Sequence, residues 1–173
     1  MKKYRVVLLL LLFLLTTCGT AKNDQFSEFV QPDPETYVKL MPLIREYFFY
    51  RKQAVLNGEM DRFYDRYPAL QERINIDQGI NLEANEVHHM QSLAPFDGNI
   101  LPEYYEKIRV RETEGEIQIL VHGMALYLWK DSAGMFEESG GEFMMVIFLN
   151  KEGGEWHVYK TDEVTLKEWK GLN

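Results

Sequence analysis

Residues 116–130 read EIQILVHGMALYLWK, and residues 141–150 read GEFMMVIFLN. In an extended chain, Ile117, Ile119, Val121, Ala125, Tyr127 and Trp129 share one side of the first stretch. Leu120, Met124, Leu126 and Leu128 share the other. The second stretch sets Phe143, Met145, Ile147 and Leu149 against Met144, Val146 and Phe148. Both strands are therefore apolar on both faces, whereas a sheet with one wet face shows polar alternation. These are central strands whose two faces both need covering. Helices cover one side, which leaves a curl of the sheet, a pocket or a partner subunit for the other.

The flanks extend the pattern. KIRVRET (107–113) and EWHVYKTDEV (155–164) are rich in β-branched and aromatic residues. Turn signals separate the runs: Glu114-Gly115, DSAGMFEESGG (131–141) and Glu152-Gly153-Gly154. The expectation is a four-stranded antiparallel meander.

Upstream the period becomes helical. Asp33 is placed as an N-cap with Pro34 at the first helical position, and Tyr37, Leu40, Met41, Ile44, Phe48 and Val55 form one apolar stripe that stops at Gly58. Pro42 lacks the amide that would bond Val38, so the helix is either kinked there or begins there. A short helix is expected over Met60 to Tyr67, ended by Pro68, and a third over Asn81 to Leu93 with Val87, Met90 and Leu93 facing inward. RINIDQGINLE (73–83) reads either way: its apolar residues alternate, and Gly79 interrupts them.

The N-terminal end reads differently again. Lys2, Lys3 and Arg5 precede an apolar run from Val6 to Leu15, about 15 Å long as a helix and so half a hydrocarbon core. That is the core of a signal peptide rather than a transmembrane helix. Leu15, Thr16, Thr17, Cys18 and Gly19 follow, and Cys18 is the one cysteine in 173 residues. This stretch resembles the lipobox of bacterial lipoproteins. The resemblance implies a diacylglyceryl group on the Cys18 thiol and cleavage just before it, with Thr17 standing where that family has Gly, Ala or Ser. Two acyl chains anchor stably where one is marginal. Residues 1–17 are thus expected to be the signal peptide, and 18–32 a polar tether reaching about 20 Å as a coil. Phe26 and Phe29 in that tether offer a docked alternative that would shorten the reach. Residues 33–173 are expected to form one domain. A single cysteine leaves no intrachain disulfide, so the domain stands on its core, for which 46% hydrophobic and 13% aromatic residues suffice.

Charge narrows the partners. Three of the 19 basic residues lie in the leader, so the remainder carries 16 basic and 27 acidic residues. Such a surface repels nucleic acid and holds to anionic lipid only through a covalent anchor. The expected place is the outer face of the cytoplasmic membrane, or another envelope membrane in a two-membraned host.

Helices first and then a curved antiparallel sheet resemble the nuclear-transport-factor-two-like fold, a cone-shaped, cystatin-like α+β roll found in small bacterial lipoproteins. The resemblance covers about Pro34 to Trp169 and rests on LNGEMDRFYDRYP (56–68), ILVHGMALYL (119–128), SGGEFMMVIFL (139–149) and EWHVYKTDEV (155–164). It implies a conical cavity between helices and sheet and dimerisation through the sheet. It does not imply one activity, since such domains serve isomerases, dehydratases, accessory domains of cell-wall enzymes and noncatalytic modules.

An enzyme of this kind uses a cavity carboxylate as base and a hydrogen-bond donor aimed at the developing oxyanion. His122, Tyr127 and His157 are the leading cavity candidates, with Tyr104, Tyr105, Glu142 and Asp162 of the right chemical type. None falls in a catalytic motif, so no catalytic residue is assigned.

Three local patterns have plainer readings. GGEF (140–143) resembles the signature of cyclic-dinucleotide synthases but lacks an acidic residue and the large cytosolic domain, and its glycines are read as ending a loop and starting a strand. Glu86 and His89 have the Glu-x-x-His spacing of carboxylate-bridged metal sites, which need two such motifs; with His88 adjacent they read as a helix flank. Asn75, Asp77, Asn81, Glu83 and Glu86 space oxygens somewhat like a calcium loop, with the glycine misplaced and no acid at the start. No cofactor or metal is therefore expected. The functional expectation is a noncatalytic ligand- or protein-binding module of the cell envelope; the alternative is a small isomerase, dehydratase or hydrolase using the cavity.

Overall fold

The computed structural model describes residues 26–103 and 108–164. The stretch expected as signal peptide, Cys18, Tyr104 and Tyr105 lie outside the described residues. Helix α1 spans Pro34–Asn57, α2 Met60–Arg66 and α3 Glu83–Gln91, and the strands are β1 Asp97–Leu101, β2 Arg109–Thr113, β3 Glu116–Lys130, β4 Phe136–Glu152 and β5 Glu155–Glu163. The class is α+β, with helices packed against an antiparallel sheet.

Helix α1 begins where its chemistry directs. The Asp33 carboxylate accepts from the amides of Glu35 (2.9 Å) and Thr36 (3.1 Å), two groups that the first turn leaves without partners. The helix ends at Gly58, whose φ of 73° is a left-handed cap that costs glycine nothing. Pro42 neither starts nor stops it: the helix runs through, with Pro42 on the exposed side. Leu40, Met41, Ile44, Tyr47, Phe48, Ala54 and Val55 are buried against Phe63 and Leu70 and against Val87 and Met90 of α3. The ambiguous stretch 73–83 is a 3₁₀ turn, Ile76–Gln78, closed by a bridge between Asn75 and Ile80.

The sheet differs from the expected meander in two respects. It has five strands instead of four, because residues 97–101 pair with Met124–Leu128. β1 and β2 occupy successive halves of the same β3 edge, β2 pairing with Glu116–Leu120, while β4 lines the other edge for its full length and carries β5. Secondly, most of the expected loop 131–141 is strand. β4 begins at Phe136 and passes through Gly140 and Gly141, where a Cβ on Gly140 would sit 2.0 Å from the Ala125 carbonyl oxygen. The glycines let two strands approach closely, and do not end a loop.

Ile117, Ile119, Val121 and Tyr127 of β3, with Met145, Ile147 and Leu149 of β4, face the helices and form the main core. The opposite face carries Leu120, Met144, Val146 and Phe148, and its cover is neither a curl nor a pocket. Residues 26–30, from the stretch expected as tether, lie across it: Phe29 is buried on Leu120 and Val146, with Phe26 beside it. Among the described residues no helix is long and apolar enough to cross a membrane.

Candidate functional site

Between helices and sheet, where the conical cavity was expected, the structure places a buried polar network. Arg51 is the hub, on the core side of α1 with its side chain only 7% exposed. Its Nε donates to Glu86 of α3 (2.5 Å) and its Nη2 to Glu163 of β5 (2.6 Å). Nη1 donates to the Tyr47 hydroxyl (3.1 Å), which in turn donates to Glu83 Oε1 (2.8 Å). That same Glu83 oxygen accepts from the Thr161 hydroxyl at 2.6 Å. Glu83 Oε2 has no hydrogen-bond partner among the described residues. Asn81 closes the far end, accepting from the Thr161 amide (2.9 Å) and donating to the Glu72 carbonyl (2.7 Å).

Electrostatics follow from burial and pairing. Burial alone would lower the Arg51 guanidinium, but Glu163 and Glu86 outweigh it and hold it well above its usual range. Burial pushes the Glu86 carboxyl up, against the opposing pull of Arg51. Burial likewise raises the Tyr47 phenol well above its ordinary value, against the lowering pull of Arg51. One cation thus serves two carboxylates and a phenol, an arrangement that satisfies buried charge rather than presenting it. Tyr47 and Glu83 form the tyrosine–carboxylate pair that an isomerase-type site needs, yet both are 0% exposed.

The sequence candidates do not converge. Tyr127 faces the helices near this network: burial, reinforced by Glu86, raises its phenol, and its hydroxyl has no hydrogen-bond partner among the described residues. His122 lies opposite Met144 in the β3–β4 register, on the other face of the sheet, with Nε2 3.1 Å from Glu142 Oε2. His157 is half-buried opposite Asn150 and lines a cleft of about 110 Å³ with Leu43, Arg66 and Tyr67. Asp162 stands 3.7 Å from Lys160. Glu86 turns inward to Arg51 while His88 and His89 are exposed, so the Glu-x-x-His spacing is split between interior and surface. Asn75 caps its own turn, and Asn81 and Glu83 bond to Thr161, so the calcium-like spacing is spent on protein partners. No group of metal-binding side chains occurs among the described residues.

Sequence reasoning missed Arg51, Tyr47 and Glu163, and noted Glu83 only within the calcium-like spacing, though one signal was present. The apolar stripe of α1 skips from Phe48 to Val55, and Arg51 occupies the missing turn.

The open concavities lie outside. A groove of about 520 Å³ runs between α1 and β1, floored by Phe48, Phe49, Ile100, Leu101 and Pro102, with Arg45, Lys52 and Glu103 on its rim. Arg45 and Glu103 are paired at 2.8 Å, and Phe49 is 52% exposed. A second apolar surface surrounds the β3–β4 hairpin end, where Phe96 and Phe136 touch at 5.8 Å between centroids beside exposed Met135.

No protein-family model and no curated protein matches the chain. Among solved structures, Aln2 from a Streptomyces species is similar at 12% identity and a TM-score of 0.48, over 76% of this chain and 92% of that one. The intermembrane space region of the chloroplast protein ARC6 is similar at 10% identity and a TM-score of 0.43, over 77% and 97%. The fold class stands on the elements and their pairing rather than on these likenesses.

Proposed function

We propose that the chain is an acyl-anchored extracytoplasmic binding module, a nuclear-transport-factor-two-like domain held at an envelope membrane through Cys18, which takes an apolar ligand or the apolar side chains of a partner. One observation carries the reading. The interior polar groups around Arg51 bond chiefly to one another, with Tyr47 and Glu83 fully buried, while the apolar groove at Phe48, Phe49, Ile100 and Leu101 opens outward. A site for chemistry needs its charged groups aimed at a substrate; a site for binding needs a concave apolar floor with a few polar groups at the rim. Residues 26–30 are fixed to the sheet, and Phe26 lies eight positions after Cys18. Even fully extended, those eight steps of chain span about 28 Å, which holds the docked strap within that reach of the lipid. The Tyr47–Glu83 pair is the observation that favours the isomerase, dehydratase or hydrolase reading, and that reading requires the interior to open to substrate.

A photo-reactive residue at position 49, in the full chain on intact cells, tests the proposal. The expected result is one discrete adduct that is lost when Ile100 is changed to Asp. An unmodified chain, or labelling equal to that from a reporter at exposed Asp61 on α2, overturns it.

A further inference from the structure

Residues 26–30 form a strap with an unusual path. Val30 exchanges both backbone hydrogen bonds with Val110, at 2.9 and 2.8 Å, on the edge of β2 that β3 does not use. From there the chain crosses the sheet face opposite the helices. Phe29 packs on Leu120 and Val146, the Arg111 guanidinium lies 5.0 Å from its ring centroid, and Glu28 pairs with Arg111 at 2.8 Å. Yet α1, which begins at Pro34, belongs to the opposite layer. Gln31, Pro32 and Asp33 alone carry the chain around the β2 edge. Two of these three precede a proline and are biased to extended backbone, as Asp33 shows at φ −67° and ψ 161°.

We propose that this strap is exchanged between two copies of the chain, the Phe26–Val30 segment of one docking on the β2 edge and outer sheet face of the other. The seat fits an identical segment because it already holds one, so the packing and hydrogen bonds made between two copies match those given up within one. Exchange of an identical element is a low-cost route to a dimer, and short constrained hinges favour it. Once the strap lifts away, the β2 edge that Val30 occupies is the template that such pairing uses. Membrane anchoring, which belongs to the function proposed above, would raise the local concentration of copies. The strap contact itself needs no anchor.

The test uses full-length chains in detergent with Cys18 changed to Ala, so that introduced cysteines are the only ones. One chain carries Val30→Cys and a second, differently tagged, carries Val110→Cys. Mutually hydrogen-bonded antiparallel residues have Cα atoms about 5.5 Å apart, within disulfide range. Strap exchange predicts a mixed disulfide dimer whose yield rises with protein concentration. It also predicts that one chain bearing both cysteines moves from intrachain closure to covalent dimer over the same range. Intrachain closure at every concentration with no mixed dimer overturns exchange. Failure of the doubly substituted chain to close at all overturns the strap seat as well. Because Val110 is buried, Glu28→Cys and Arg111→Cys on separate chains, joined by a short bis-maleimide, repeat the test at positions that leave the core alone. A mixed adduct supports exchange, and its absence alongside intrachain linkage in the double variant contradicts it. Neither result depends on Cys18 lipidation or on the groove at Phe49.

Discussion

At the scale of single residues, the balance at Arg51 governs the interior. Arg51→Met leaves Glu86 and Glu163 facing each other without their cation, and breaking a buried pair from one side costs about 3–5 kcal/mol. Urea unfolding at neutral pH should show that loss, and it should shrink as the medium is acidified and Glu86, whose carboxyl burial pushes up, takes up its proton. Glu86→Gln tests the same network with the opposite sign. Its carboxyl is raised from the ordinary 4.5, so between that value and its raised one the folded chain keeps a proton that the unfolded chain has released. Stability therefore falls as pH rises through that window, and Glu86→Gln should flatten the slope. Tyr159 offers a spectroscopic check. Burial and its hydrogen bond to Glu116 push its phenol up to about 12, below the more strongly raised Tyr47, Tyr67 and Tyr127, so in a tyrosine titration the Tyr159 step is the one that Glu116→Gln should move back toward 10. These residues are hard to find in the sequence because their partners are remote: Arg51 and Glu163 are 112 positions apart. Only the gap in the α1 stripe hints that a polar group stands on the core face.

At the scale of elements, local chemistry is legible in the sequence and close approach is not. The Asp33 cap, the Gly58 stop, α2 and the long central strands follow from patterns within a few residues of one another. β1 escapes because DGNIL opens with turn residues. Gly98 is there to admit the Tyr127 ring, which a Cβ would meet at 2.4 Å, and that fact depends on a strand 29 residues later. The run through GGEF escapes for the same reason, since the partner of Gly140 lies across the sheet. Two predictions belong here. Pro42→Ala should stabilise the domain by about 1–3 kcal/mol in denaturant unfolding, because it restores an amide in an exposed helix interior. Phe29→Ala should release the strap without melting the fold. The Val110 amide should lose protection against hydrogen exchange on the order of a hundredfold, the equivalent of about 3 kcal/mol, while the β3 and β4 amides keep theirs.

At the scale of the whole molecule, the sheet is sandwiched unequally: helices and the Arg51 polar network on one side, a strap of five residues on the other. Doubly apolar central strands announce that both faces are covered. They do not announce by what, because Phe26 and Phe29 sit in a polar stretch without periodicity. The interior is occupied by its own side chains, and the surfaces left for function, the α1–β1 groove and the strap seat, belong to a domain that we propose is held at a membrane. That placement rests on Cys18. Mass spectrometry of the mature N-terminus of the protein from its native membranes is the most direct test. The account predicts a chain beginning at Cys18 and carrying a diacylglyceryl group; an unmodified Cys18, or a chain that starts elsewhere, would contradict it.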